Sequence, residues 1–130
     1  MALSPLTTTF KPDPDSPGTF LINAYGPNYI EVIGERHSSP LILRPESGPI
    51  AWSARSLSCL SADDFRAVAE LRPEVVIVGT GPKQVFLHPT VLSPLTSMRI
   101  GVECMGMAAA CRTYNILMSE GRKVALALLF

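Results

Sequence analysis

Apolar and polar positions change period near the middle of this chain. Between Thr19 and Ser53 the apolar residues fall in short β-rich runs separated by turn residues. Thr19–Tyr25 and Tyr29–Ile33, divided by Gly26-Pro27-Asn28, predict a hairpin. Gly34 to His37 reads as another short turn. Pro40–Arg44 reads as a third strand, its proline suited to a strand start or an edge. Pro45–Pro49 is turn material, and Ile50–Ser53 reads as a short fourth strand carrying the single tryptophan. This half is an antiparallel meander.

From Ser61 the apolar residues recur at helical spacing. Ser61-Ala-Asp-Asp64 offers an N-cap serine with an acidic residue three positions on, a capping-box variant. Phe65, Val68, Ala69 and Leu71 then form an apolar stripe that Pro73 ends. Val75–Val78 is an unbroken β-branched run, as expected of a strand covered on both faces at the centre of a sheet. A weaker helix is expected between His88 and Met98, with Pro89 in its first turn and Pro94 limiting it. Arg99–Glu103 reads as the next strand. Met107 to Met118 is the most helix-like segment, with Met107, Cys111, Tyr114 and Met118 on one face and Gly121 placed to cap it. Val124–Phe130 is a hydrophobic final strand, able to pair within the sheet or across a homodimer.

These elements predict one α/β domain over residues 19–130, a mixed β-sheet layered with about three helices. The N-terminal antiparallel meander is followed by alternating helices and strands. Residues 1–18, with Pro12, Pro14 and Pro17 closely spaced, are expected to form a flexible or irregular lead-in.

Composition narrows the functional classes. Eleven basic and eleven acidic residues balance, which argues against a non-specific nucleic-acid binder. Charged residues at 17% fall below the usual quarter, a lean towards contacts with other proteins. No apolar stretch reaches membrane-spanning length, and Met1–Phe10 resembles neither a signal nor a transit peptide. A cytoplasmic protein is expected, with its three cysteines as thiols.

Candidate chemistry centres on Gly79-Thr80-Gly81-Pro82-Lys83, where a covered strand runs out into a glycine-rich loop. The spacing is not that of a Walker loop, and the dinucleotide fingerprint would need glycine where Gln84 stands. Pro82 also lacks one backbone donor that an anion cradle would use. The segment is either a structural strand-exit turn or a site for a small anion or polar ligand near Thr80 and Lys83. Arg112 and Asn115 form a polar cluster in an otherwise apolar helix. They either serve the packing or line a pocket with Gly79, Thr80, Gly81 and Lys83. The histidines and cysteines lack metal-ligand spacing, so no metal or cofactor is expected. Cys104, after a strand and near a helix start, is the better candidate for a reactive thiol than Cys111, which is flanked by alanines. No catalytic triad or carboxylate pair is recognisable.

Pro73–Gly81, Ile100–Glu103 and above all Ala108-Ala-Ala-Cys-Arg-Thr-Tyr-Asn115 with Glu120-Gly-Arg122 follow one another in order. In this the chain resembles the small domain family that includes mitochondrial respiratory complex I assembly factor 3 and uncharacterised bacterial proteins. The resemblance implies a single α/β domain that acts by binding other proteins, respiratory-complex subunits among them; the alternative is a small-molecule or anion-binding protein, or an unrecognised enzyme, using a pocket at the Gly79-Thr80-Gly81 loop. The resemblance carries over no catalytic residues. Met105-Gly106-Met107 stands where the family leads one to expect a more polar helix entry, so a side-chain-capped anion site is not expected there.

Overall fold

The computed structural model describes residues 8–9 and 20–130. In chain order the strands and helices are β1 (Thr8–Thr9), β2 (Ile22–Gly26), β3 (Tyr29–Val32), β4 (Glu35–His37), β5 (Leu41–Arg44), β6 (Gly48–Ala51), α1 (Ala62–Glu70), β7 (Val75–Thr80), α2 (Pro89–Thr96), β8 (Gly101–Met105), α3 (Met107–Ser119) and β9 (Val124–Leu129). The expected lead-in falls outside the described residues, save that Thr8 and Thr9 pair antiparallel with Tyr25 and Ala24.

The meander is divided between two sheets. β1-β2-β3-β4 form a small antiparallel sheet, while β5 and β6 join the C-terminal half in a five-stranded sheet of order β6-β5-β9-β7-β8. In that sheet β7 lies between two parallel neighbours, β8 and β9, as a doubly covered strand should. The middle position belongs to β9, the final strand of the chain.

Strand alternation distributes the core to two faces. Ile77, Val124, Leu126 and Leu128 meet Met107, Cys111 and Tyr114 of α3 together with Ile22 and Ile30 of the small sheet. Val76, Val78, Ala125 and Ala127 meet Phe65 and Val68 of α1, Leu95 of α2 and Trp52. A strand covered on both faces has no polar register, which is why β7 and β9 read as continuous apolar runs. Fully buried Phe65, edge-on to Trp52 with ring centroids 5.4 Å apart, contributes roughly 1.5–3 kcal/mol by burial.

Local chemistry sets the element ends. The Asp64 carboxylate accepts from the Ser61 N–H at 3.0 Å, the reciprocal half of the capping box. Trp52 Nε1 donates to the Asp64 carbonyl at 2.9 Å and ties the preceding strand to the helix start. At the end of α3, the N–H of Gly121 bonds the Met118 carbonyl and that of Arg122 bonds Leu117, a Schellman pair. The pattern reading missed β4. Its hairpin turn is Ile33-Gly34, with φ of 49° and 79°, the geometry of a type I′ turn. Isoleucine there gives none of the usual Asn-Gly signal, so Gly34 to His37 read as a turn alone and not as the second strand of a hairpin.

Candidate functional site

The Gly79–Lys83 segment leaves the end of β7 and is held by its own side chains. Gly79 packs against α3 and β9 so closely that a Cβ there would lie 2.3 Å from Leu128 Cδ1 and 3.5 Å from the Ala110 Cβ. Gly81 takes φ of +90°, which side-chain-bearing residues rarely adopt, and its carbonyl accepts the Met107 N–H at 2.7 Å. That bond satisfies one of the free donors at the start of α3, where Gly106 supplies no side-chain cap.

Thr80 is the fixing point of the loop. Its side chain, in a residue only 5% exposed, donates to the Lys83 carbonyl at 2.6 Å and accepts the Val85 N–H at 3.1 Å. The Met105 carbonyl lies 3.1 Å from the same hydroxyl. Gln84 Nε2 adds a bond of 3.0 Å to the Cys104 carbonyl on β8. The Thr80 hydroxyl, one of the candidate ligand contacts, is therefore turned inward. It braces a loop that carries Phe86, whose ring stands 83% exposed.

The polar cluster of α3 is turned to a different purpose. Asn115, 8% exposed, accepts the Ile22 N–H at 3.1 Å and donates to the Ile22 carbonyl at 2.9 Å. Tyr114 donates its hydroxyl to the Phe20 carbonyl at 2.7 Å, and Arg112 Nη1 donates to the Tyr25 hydroxyl at 3.0 Å. Three side chains within one turn of helix thus fasten β2 and its approach to α3. Such pairing satisfies backbone groups of Phe20 and Ile22.

The six sequence candidates have different tasks. Gly79 and Gly81 permit close packing and a turn, Thr80 braces the loop, Asn115 clamps β2, and Lys83 and Arg112 reach solvent. A cavity of about 310 Å³ opens between the hairpin turn and the loop, lined by Tyr25, Gly26, Pro27, Asn28, Pro82, Met107 and Ala108. Arg112 approaches it through its bond to Tyr25.

Cys104 stays ahead of Cys111, and Cys59, which the sequence reading did not weigh, goes ahead of both. Burial raises the Cys104 pKa, only partly opposed by a backbone hydrogen bond from Leu87. Burial pushes Cys111 up to about 12. Exposed Cys59 is lowered by hydrogen bonds from the Ser56 and Ser58 side chains, which makes it the most acidic of the three thiols. Sequence spacing gave no hint of this, because the Ser56-Leu57-Ser58-Cys59 contacts depend on the 3₁₀ turn over Leu57–Cys59.

The fold and the site define a small layered α/β domain whose glycine-rich loop is braced from within and displays an aromatic side chain. The chain belongs to the family described as protein of unknown function (DUF498/DUF598), which matches residues 22–129. A mouse NADH dehydrogenase (ubiquinone) 1 alpha subcomplex assembly factor 3 is 33% identical over 115 residues, covering 87% of this chain and 62% of the mouse protein. This chain thus spans a little under two thirds of that relative's length. An uncharacterised protein of Rhodobacter capsulatus is 30% identical over 119 residues, covering 90% of each chain. A crystal structure of a Bordetella parapertussis protein superposes with a TM-score of 0.82 at 42% identity, covering 86% of this chain and 96% of that one. The family expected from the Ala108–Arg122 segment is the family found.

Proposed function

We propose that this chain is a non-enzymatic protein-binding module that assists assembly of a respiratory membrane complex from the cytoplasmic side. The observation that carries this reading is Phe86, 83% exposed on a loop that Thr80 and Gln84 hold in place. An exposed aromatic ring on a rigid support loses little side-chain freedom on docking and is the kind of residue that dominates binding energy at protein interfaces. The assembly-factor name of the mouse relative supports the choice of partner class. Among the described residues no helix is long and apolar enough to cross a membrane.

The test is affinity purification of the tagged protein from its host beside a Phe86→Asp variant. NADH dehydrogenase subunits should be recovered with the parent chain and lost with the variant. Deletion of the gene should lower NADH dehydrogenase content in the membrane. Equal recovery with Phe86→Asp, or unchanged enzyme content on deletion, overturns the reading.

The cavity of about 310 Å³ beside Pro82 favours a second reading, a small-ligand site with charge supplied by Lys83, next to Pro82 in the chain, and by Arg112, bonded to the Tyr25 hydroxyl. A ligand found by thermal-shift screening should lose its effect in Lys83→Ala and Arg112→Ala. A shift that persists in both variants places the ligand elsewhere.

A further inference from the structure

At the end of the large sheet opposite the Gly79 loop, Arg44 closes β5, Arg72 follows α1, and Arg122 and Lys123 lead into β9. Together with Glu46 these residues line a cavity of about 200 Å³. Four of the chain's eleven basic residues therefore converge on one small space in a protein without net charge. Arg122 is ion-paired with Glu74. Among the described residues, Arg44, Arg72 and Lys123 have no carboxylate within ion-pair distance.

The framework around this cavity is fixed. The Lys123 carbonyl accepts from both Glu74 at 2.9 Å and Val75 at 3.4 Å, and the Val124 N–H bonds Arg122 at 3.0 Å. The Pro45 carbonyl accepts from Phe20 at 2.8 Å, which steadies the turn after β5. Arg72 stands just beyond α1 with φ of 52°, where a helix end usually places glycine or asparagine. An arginine kept in an unfavourable backbone conformation, at the mouth of a cationic cavity, has the character of a functional constraint.

We propose that this cavity binds a single phosphate group, carried by a soluble phosphorylated molecule or by a lipid headgroup. Guanidinium forks match phosphate oxygens in pairs, and Lys123 adds a point charge. A volume of about 200 Å³ holds one tetrahedral oxyanion with its water, and falls below the roughly 300 Å³ at which pockets for larger ligands begin. Glu46 in the same lining offsets one of the four positive charges, and a phosphate dianion gains more from the positive remainder than a monoanion does.

The probe is inorganic phosphate, titrated into the full chain at constant ionic strength with chloride as the control. Phosphate should raise the melting temperature and move the amide resonances of Arg44–Glu46, Arg72 and Arg122–Lys123, while chloride does neither. Arg44→Gln and Arg72→Asn should each weaken binding about tenfold or more, the usual consequence of losing one charge-assisted hydrogen bond. Asparagine tolerates the backbone at position 72, so that variant should keep its melting temperature without phosphate. Arg55→Gln, an exposed arginine outside this lining, should leave phosphate binding unchanged.

Co-sedimentation with phosphatidic acid vesicles, and not with phosphatidylcholine vesicles, identifies the headgroup as a source. Phosphate binding without co-sedimentation identifies a soluble one. A response to phosphate that survives in the Arg44→Gln, Arg72→Asn double variant overturns the proposal, as does no response beyond that to chloride. None of these readouts involves Phe86, so the outcome is independent of the protein-binding reading.

Discussion

Replacing Thr80 by valine removes one hydroxyl and little volume. The lost contacts are the bond donated to the Lys83 carbonyl at 2.6 Å and that accepted from the Val85 N–H at 3.1 Å, with the Met105 carbonyl also deprived of a neighbour at 3.1 Å. A hydroxyl has one proton, so the shorter contact is its principal donation. One donated and one accepted bond, at about 0.5–1.5 kcal/mol each, set a cost of roughly 1–3 kcal/mol. Lys83 is exposed and water can replace the bond to its carbonyl, so the lower half of that range is expected.

Urea unfolding should therefore show a loss of about 1–2 kcal/mol with an unchanged slope, and the midpoint temperature should fall by about 3–8 °C. The sharper readout is hydrogen exchange at Val85. Its amide should lose protection in Thr80→Val and keep it in Thr80→Ser, which retains the hydroxyl. Partner binding should weaken alongside, because Phe86 would no longer be presented from a fixed loop. A Val85 amide as protected in Thr80→Val as in the parent chain would refute the bracing role.

Other substitutions probe separate parts of the fold. Asn115→Leu should destabilise by about 2–4 kcal/mol in urea melts, since it strands the N–H and carbonyl of Ile22 in the interior. Gly79→Ala should cost about 1–3 kcal/mol by forcing the buried Leu128 side chain aside, and an unchanged melting temperature would show that Leu128 has room to move. Ile33→Asn should stabilise by about 1 kcal/mol, because asparagine accepts the φ of 49° that a β-branched residue resists. Alkylation followed by mass spectrometry should label Cys59 first, Cys104 more slowly and Cys111 only on unfolding. The raised pKa of Cys111 also has a pH signature. Its folded-state stabilisation is complete below the ordinary thiol pKa of about 9 and is lost as pH rises from there towards about 12. The alkaline fall in stability should be shallower in Cys111→Ala.

Much of the fold is written in local pattern. The helical stripe from Phe65, the capping pair Ser61 and Asp64, and the β-branched run Val75–Val78 each announce an element, because their causes lie within a few residues. The family was legible too, through the long segment Ala108–Arg122. What stayed hidden depends on partners far away in sequence. That β9 holds the middle of the large sheet, and that the meander splits between two sheets, follows from strand pairing across the whole chain. Type I′ geometry at Ile33-Gly34 escaped detection because the residue that adopts it is a poor match for it.

The candidate site divides in the same way. Sequence identified Gly79, Thr80, Gly81, Lys83, Arg112 and Asn115 as residues out of keeping with their surroundings. Their tasks were settled by contacts it does not encode locally. Asn115 and Tyr114 meet Ile22 and Phe20, more than ninety residues away, and Thr80 meets Met105 twenty-five residues on. The sequence by itself determined which residues carry hydrogen-bonding capacity in an apolar setting. Only the tertiary structure decided where that capacity is spent, because a buried polar group takes whichever unsatisfied backbone the packing brings within reach.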